Sequence, residues 1–157
     1  MKILVIADTH KNFEKYNAVV EANPADYYIH LGDGVNEFAD VAKAHPEKEF
    51  VFVKGECDFC NASEKQLLKV GKCRIFCAHG HEQEVESGLD KIIAEAKASE
   101  CNIILYGHTH IYKTERIEGI YVMNPGSLSD PRGQNPASFG VLEISAEGTV
   151  DMKIVAY

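Results

Sequence analysis

Apolar runs alternate with amphipathic stretches over the first two thirds of the chain. Four short apolar runs have the character of buried strands: 3–7, 27–31, 50–53 and 103–106. Between them, apolar residues at helical spacing predict helices over 12–22, 35–44 and 88–99. A strand–helix–strand alternation of this kind is typical of a parallel sheet with right-handed crossovers. The pattern therefore indicates an α/β protein.

The pattern changes twice along the chain. Two strand-like runs flank Gly71-Lys72 within 66–78, which predicts a hairpin or a change of sheet. From Tyr112 onward the alternation is that of antiparallel strands, predicted at 112–117, 121–124, 139–144 and 150–155. We expect these strands to form a meander in a second sheet, whose exposed edge could pair with a second copy in a homodimer. The length of 157 residues and the lack of a linker predict one domain, 1–157.

Composition and charge narrow the function. The chain has 16 basic and 24 acidic residues and a net charge of −8, which argues against an extended nucleic-acid surface. A small phosphate-bearing substrate stays compatible, because bound divalent cations reverse the sign locally. No apolar stretch approaches the roughly 20 residues of a membrane span. Five cysteines without a secretory signal predict reduced thiols and a cytoplasmic location.

Histidine and aspartate recur where predicted strands end. The four segments are Asp8-Thr9-His10, Gly32-Asp33-Gly34, His79-Gly80-His81 and Gly107-His108-Thr109-His110. Sites in open α/β sheets assemble at the carboxyl ends of strands, so these segments should converge. Carboxylate and imidazole groups are ligands for divalent metals. Asp33, between two glycines that allow a sharp turn, is placed to bridge two ions, and two ions can clamp a phosphoryl group.

Together with Gly55-Glu56-Cys57-Asp58, these motifs resemble, in order, the signature of the calcineurin-like metallophosphoesterases. The resemblance covers essentially the whole chain and is strongest to the small YfcE/MJ0936-type phosphodiesterases, to which the retromer subunit Vps29 is related. It implies a four-layer α-β-β-α sandwich of two mixed sheets. It also implies a dinuclear phosphodiesterase, in which a metal-bound hydroxide attacks a phosphate diester or nucleotide-type substrate. Mn²⁺ is the favoured metal, with Zn²⁺, Ni²⁺ and Fe²⁺ as alternatives.

The resemblance also implies a role for each ligand. The first metal is expected to be bound by Asp8, His10 and His110. The second is expected to be bound by His79, His108 and Glu56, with Asp33 bridging the two ions. The residues implied to be catalytic are Asp33, His79 and His108.

Glu56 is the main departure from the family pattern, which has Asn at this position. If Glu56 binds the second metal, the site carries one more negative charge than in relatives. We then expect tighter binding of that metal, weaker attraction for an anionic phosphate and a higher pH optimum. The alternative is that Glu56 turns to solvent and leaves the second metal with fewer ligands.

The neighbouring residues leave further alternatives open. Cys57 stands where many wider relatives have a histidine, and a thiol is a poor acid here, so good leaving groups such as aryl esters should be favoured. His81 is either a partial substitute or an orienting or exposed residue, and Asp58 is either a hydrogen-bond acceptor behind the site or a loop residue. We expect residues 124–127 to support the site, the alternative being an ordinary turn. Arg132 could bind a substrate phosphate, but a position on the solvated surface is favoured.

A rival function belongs to another class. A Vps29-like protein-interaction module would keep the fold and carry a vestigial or regulatory metal site. Six of the seven expected ligand types stand unchanged and the seventh still offers a carboxylate oxygen, which favours the enzyme.

Overall fold

Ten strands and three helices follow one another in the computed structural model, which describes residues 1–157. The helices are α1 (Phe13–Ala22), α2 (Val35–Ala44) and α3 (Asp90–Ala98). The strands are β1 (Lys2–Ile6), β2 (Tyr27–His30), β3 (Phe50–Phe52), β4 (Lys65–Val70), β5 (Cys73–Ala78), β6 (Ile103–Tyr106), β7 (Lys113–Ile117), β8 (Ile120–Asn124), β9 (Ser138–Ile144) and β10 (Val150–Ala156).

The strands form two mixed sheets of five. The first sheet has the order β10-β9-β1-β2-β3, with β1, β2 and β3 parallel, β9 antiparallel to β1 and β10 antiparallel to β9. The second has the order β4-β5-β6-β8-β7, with a parallel centre of β5, β6 and β8 and antiparallel edge strands. The predicted architecture of two mixed sheets is confirmed.

Alternation along each strand sorts the side chains into layers. On β1, Ile3 and Val5 join a central core to which both sheets contribute, while Leu4 and Ile6 pack on the outer side with residues of α1 and α2. On the second sheet, Ile104 and its neighbours pack on the outer side against α3. The result is the expected four-layer order of helices, sheet, sheet and helix.

The last two strands differ from the prediction. Of the four strands predicted for the meander, only β7 and β8 belong to the second sheet, whereas β9 and β10 lie in the first sheet beside β1. Leu142 of β9 lies opposite Ile3, and both belong to the central core. Periodicity identifies a strand and its buried face, but it does not say which free edge the strand will cover, so the single meander was wrong.

This topology brings several strand ends to one place. The segments with Asp8, Asp33 and Glu56 follow β1, β2 and β3, and those with His79 and His108 follow β5 and β6. Backbone hydrogen bonds join the segments: the Asp8 N–H donates to the carbonyl of Gly32 (3.0 Å), and the Gly107 N–H donates to the carbonyl of His79 (2.9 Å). The predicted convergence of the four segments is therefore observed.

No helix in the structure has the length and apolar character needed to cross a membrane.

The central core predicts a stability difference between two similar truncations. Ile103→Ala removes a fully buried side chain from the core between the sheets and should lower the free energy of unfolding by about 2–5 kcal/mol. Leu67→Ala, in edge strand β4 where the side chain is 52% exposed, should cost less than about 1 kcal/mol. Urea denaturation followed by circular dichroism compares the two, and equal losses would contradict the assignment of the core.

Candidate metal centre

The backbone at the strand ends adopts a conformation that is uncommon for residues with a side chain. Five of the predicted ligands have a positive φ: Asp8 (54°), His10 (40°), Asp33 (58°), His108 (69°) and His110 (58°). Left-handed residues other than glycine are strained and cluster at functional sites. Here the turn allows side chains two residues apart, Asp8 and His10, to point to the same place instead of to opposite faces.

The first group of potential ligands is formed by Asp8, His10 and His110, whose donor atoms all lie within 4.8 Å of one another. Nε2 of His110 is 3.4 Å from Oδ1 of Asp8 and 3.2 Å from Nε2 of His10. These are the three residues predicted for the first metal.

The second group is formed by Asp8, Asp33 and His79 and shares Asp8 with the first. Nε2 of His79 is 3.5 Å from Oδ2 of Asp33 and 3.9 Å from Oδ1 of Asp8. Oδ2 of Asp33 also lies 4.0 Å from Nε2 of His10, so this carboxylate faces both groups. The two groups are adjacent parts of one centre.

Two atoms at this centre lack a hydrogen-bond partner although they are buried. They are Oδ1 of Asp8 and Nε2 of His79. An unpartnered buried polar atom costs about 1–3 kcal/mol, so native proteins seldom leave one. A divalent cation between the carboxylates and imidazoles would satisfy both, and the donor set of nitrogen and carboxylate oxygen suits such an ion. The residues present therefore fit a metal.

Electrostatics at the centre agree with this fit. Burial acts to raise the pKa of Asp33, but the His79 ring nitrogen 3.5 Å away and the hydrogen bond from the Cys57 N–H outweigh it and hold that pKa well below its usual range. Burial acts to lower the pKa of His79, but contact with Asp33 and Asp8 raises it. The paired carboxylates thus attract positive charge, which a proton on histidine or a metal ion can provide.

Three of the ligands, Asp8, His79 and His110, are each held by one polar atom and leave another free. His79 donates from Nδ1 to the carbonyl of Leu31 (2.7 Å), and His110 donates from Nδ1 to the carbonyl of Asp130. Oδ2 of Asp8 accepts the His108 N–H at 3.2 Å. Outer hydrogen bonds of this kind fix the tautomer and direction of metal ligands. The free atoms, Nε2 of the histidines and Oδ1 of Asp8, face one another.

Asp58 is the acceptor behind the centre. Its side chain is buried and its two oxygens accept four backbone N–H groups, those of Asp33 (2.8 Å), Gly34 (2.9 Å), Val35 (2.9 Å) and Gly55 (2.8 Å). Of the two alternatives for this residue, the structure selects the hydrogen-bond acceptor.

The segment at 124–127 supports the centre as expected. Asn124 is fully buried and donates from Nδ2 to the carbonyl of Gly107 (2.9 Å) and to Oγ1 of Thr109 (3.0 Å). Ser127 donates from Oγ to the carbonyl of Asp8 at 2.7 Å. The segment therefore ties the β1 loop to the β6 loop.

A buried chain of hydrogen bonds was missed by the sequence analysis. Oγ1 of Thr9 lies 2.9 Å from Nε2 of His30 and donates to Oε1 of Glu37 (2.6 Å), which also accepts the Lys11 N–H (2.6 Å). Burial lowers the pKa of His30 to about 4, so the ring is neutral. The chain anchors the residues on both sides of His10. Glu37 gave no signal, because an acidic residue in a first helical turn is common at the surface.

Two predicted ligands lie outside both groups. The Glu56 side chain is 61% exposed and its Oε2 lies 3.8 Å from Nδ1 of His108. The other ring nitrogen of His108 lies 3.8 Å from Oε1 of Glu86. The structure thus places Glu56 and His108 side by side next to the centre, with the Glu56 carboxylate near solvent.

The remaining predicted neighbours also lie near the centre. Burial, followed by the negative charge of Asp33, raises the pKa of the Cys57 thiol, in line with a poor proton donor. The His81 ring lies 5.3 Å from that of His79, and its buried Nδ1 has no partner. Arg132 is 53% exposed and lies 3.6 Å from Glu86, at the surface as expected.

Fold and site together define a class of protein. Two mixed sheets between layers of helices, with aspartates and histidines gathered at the strand ends, are the architecture of a metallophosphoesterase. The chain belongs to the calcineurin-like phosphoesterase superfamily, whose domain matches residues 1–147. The resemblance inferred from the motifs is thereby confirmed, and the chain is a metal-dependent phosphoesterase by family.

Relatives of known name support this membership. The chain is 30% identical to the probable metallophosphoesterase YsnB of Bacillus subtilis, over 92% of this chain and 85% of that protein. It is 29% identical to the phosphodiesterase YfcE of Escherichia coli, over 99% of this chain and 96% of that protein. A solved structure of a Vps29 single mutant from Entamoeba histolytica shares the fold, with a TM-score of 0.79 and 24% identity over 100% of this chain and 99% of that one.

The four hydrogen bonds to Asp58 predict a large effect of a small change. In the wild-type protein each Asp58 oxygen accepts two N–H groups. Asp58→Asn replaces one of these oxygens by an amide nitrogen, which cannot accept a hydrogen bond. We expect the free energy of unfolding to fall by roughly 2–4 kcal/mol and metal affinity to fall with it, measured by urea denaturation and Mn²⁺ titration. Asp40→Asn, on the exposed side of α2, is the matched control and should change neither. A stable Asp58→Asn protein with normal metal affinity would refute the role of Asp58.

Proposed function

We propose that the protein is a dinuclear metal-dependent phosphodiesterase that hydrolyses small phosphate diesters. The observation that carries the proposal is the pair of adjacent ligand groups. Both groups contain Asp8, and the Asp33 carboxylate lies near His10 of one group and His79 of the other. Sharing a carboxylate is what a two-ion centre requires, because ions about 3.5–4 Å apart must have ligands in common. A single-ion site would not need the second group.

In this proposal Asp8, His10 and His110 would hold the first ion, and Asp33 would be shared with the second. His79 would hold the second ion together with His108 and Glu56. When bound, two such ions supply an activated hydroxide as nucleophile and positive charge that stabilises the transition state. Mn²⁺ is the favoured ion, because nitrogen and carboxylate ligands without thiolate suit it; Zn²⁺, Ni²⁺ and Fe²⁺ share these ligands.

Residues around the centre orient the substrate and limit which phosphate esters react. His79 and His108 line the side of the centre where a phosphate oxygen would be held and stabilised. Cys57 is adjacent, but its raised pKa keeps the thiol protonated and makes it a weak acid. Because no strong acid protonates the leaving group, the enzyme favours esters whose leaving group departs without a proton, such as aryl esters.

The Vps29-like interaction module is the second candidate, and the shared fold is compatible with it. No feature of the centre favours it: four of the five side chains in the two ligand groups are buried and His10 is half-buried, which a vestigial site would not require. Five free cysteines support a cytoplasmic location, and the exposed sheet edges leave a homodimer open as a proposal.

Asp33→Asn tests the two-ion centre. The change removes the charge of the carboxylate that faces both groups, and we expect hydrolysis of bis-p-nitrophenyl phosphate to fall at least about a hundredfold, since even outer partners of metal ligands are worth 10–100-fold. Metal-stripped wild-type protein should regain activity on addition of Mn²⁺ and saturate at two equivalents. Full activity of Asp33→Asn, or saturation at one equivalent, would contradict the proposal, and Asp40→Asn again serves as the control.

Glu56→Asn tests whether the extra carboxylate restrains the enzyme. Removing a negative charge beside the second ion should raise the rate roughly threefold to tenfold and move the pH optimum downward, because the bound water becomes more acidic. Glu56→Gln keeps the length of the side chain and separates charge from size, and Glu86→Gln removes the other carboxylate near His108. A lower rate of Glu56→Asn at unchanged metal occupancy would show that Glu56 assists the reaction.

A further inference from the structure

A pocket opens directly beside the metal centre. The ligand side chains of His10 and Asp33 contribute to its lining, and the other lining residues are not proposed ligands; they include Lys11, Val35, Asn36 and Phe59. A diester held at the centre by its phosphate has a second ester group, which must lie in space adjoining the ligands. This pocket adjoins two of them.

Phe59 is the most unusual residue of the pocket. Its side chain is 99% exposed and so gains nothing from packing in the folded protein. Single exposed apolar residues are common, but this one follows Asp58, whose carboxylate is fixed by four backbone hydrogen bonds. These hydrogen bonds hold the backbone next to Phe59 in place, and the Phe59 ring lines the pocket.

Lys11 adds a positive charge to the same pocket. Its backbone has a φ of 70° and its N–H donates to the buried Glu37 carboxylate, so the position of the residue is fixed by the chain of hydrogen bonds through Thr9. In a protein of net charge −8, an ammonium group beside the ligands attracts phosphate. The pocket thus offers a cation for the phosphate and an aromatic face for a ring attached to it.

We propose that Phe59 and Lys11 form a subsite for the ester group that stays on the phosphate, and that Phe59 selects diesters in which this group is a planar aromatic ring, an aryl group or a nucleobase. The inference rests on the proposed phosphodiesterase function and names the substrate class of that same centre. Stacking on an exposed ring favours planar π-systems over alkyl groups. One ring beside polar Asn36 is too small a surface for a protein partner.

The test keeps the leaving group constant and varies the group that stays. Methyl, phenyl and thymidine-5′ p-nitrophenyl phosphates all release p-nitrophenolate. Phe59→Ala should lower kcat/KM about tenfold for the phenyl and thymidine esters and less than twofold for the methyl ester. Lys11→Gln should lower kcat/KM for all three alike. Leu67→Ala, an exposed apolar residue on β4, is the matched control and should change none.

The outcomes separate the subsite from the chemistry. An equal effect of Phe59→Ala on all three esters, or no effect, would overturn the subsite while the phosphodiesterase stands. A loss for the phenyl ester alone supports the subsite and assigns it to aryl groups; a loss for both ring-bearing esters extends it to nucleobases.

Binding of inert analogues gives a readout that does not depend on turnover. Diphenylphosphinate has no ester bond to hydrolyse, and dimethylphosphinate is its aliphatic counterpart. By calorimetry with Mn²⁺ present, Phe59→Ala should weaken diphenylphosphinate about tenfold and leave dimethylphosphinate unchanged. If wild-type protein hydrolyses no ester, the proposed function fails, and this titration still decides the subsite: equal affinities in wild type and Phe59→Ala would refute it.

Discussion

The metal centre depends on one buried carboxylate that lies outside both ligand groups. Asp58, in the loop after β3, accepts four N–H groups, three of them from residues 33–35 after β2. In the opposite direction, Asp33 in the loop after β2 accepts the Cys57 N–H of the loop after β3 at 2.7 Å. The loops are so close that a Cβ on Gly55 would lie 2.2 Å from Oδ1 of Asp33. These hydrogen bonds hold Asp33 where its carboxylate faces both ligand groups.

The strain of the ligand backbone is offset by the same kind of bond. Asp8 and His10 have positive φ, a conformation that costs of order 1–3 kcal/mol per residue. Hydrogen bonds from Ser127 to the Asp8 carbonyl and from Thr9 to Glu37 hold the turn on both sides. Because these partners are buried, water does not compete for the hydrogen bonds, which stabilise the strained turn.

Sequence predicted what depends on local pattern and missed what depends on long-range contact. The amphipathic spacing at 35–44 predicted α2 with the observed bounds, and the strand-end positions of Asp8 and His79 predicted that they meet. The pairing of β9 with β1 and the Thr9–Glu37 hydrogen bond join residues 28 or more apart, and no local signal specifies them. The exposure of Glu56 likewise depends on how its loop folds over Asp58.

The buried ligands of this centre tolerate few substitutions, whereas the exposed residues around it are less constrained. Each buried ligand has one atom bound to the protein and another aimed at the neighbouring ligands, so a substitution there disturbs metal, backbone and loop together. Glu56 and Phe59 flank the anchored Asp58 on the same loop, and both are exposed. They can change without cost to the fold. Differences in charge at the second ion and in the ester group accepted are therefore expected to arise on this loop, while the ligands that carry the chemistry stay constant.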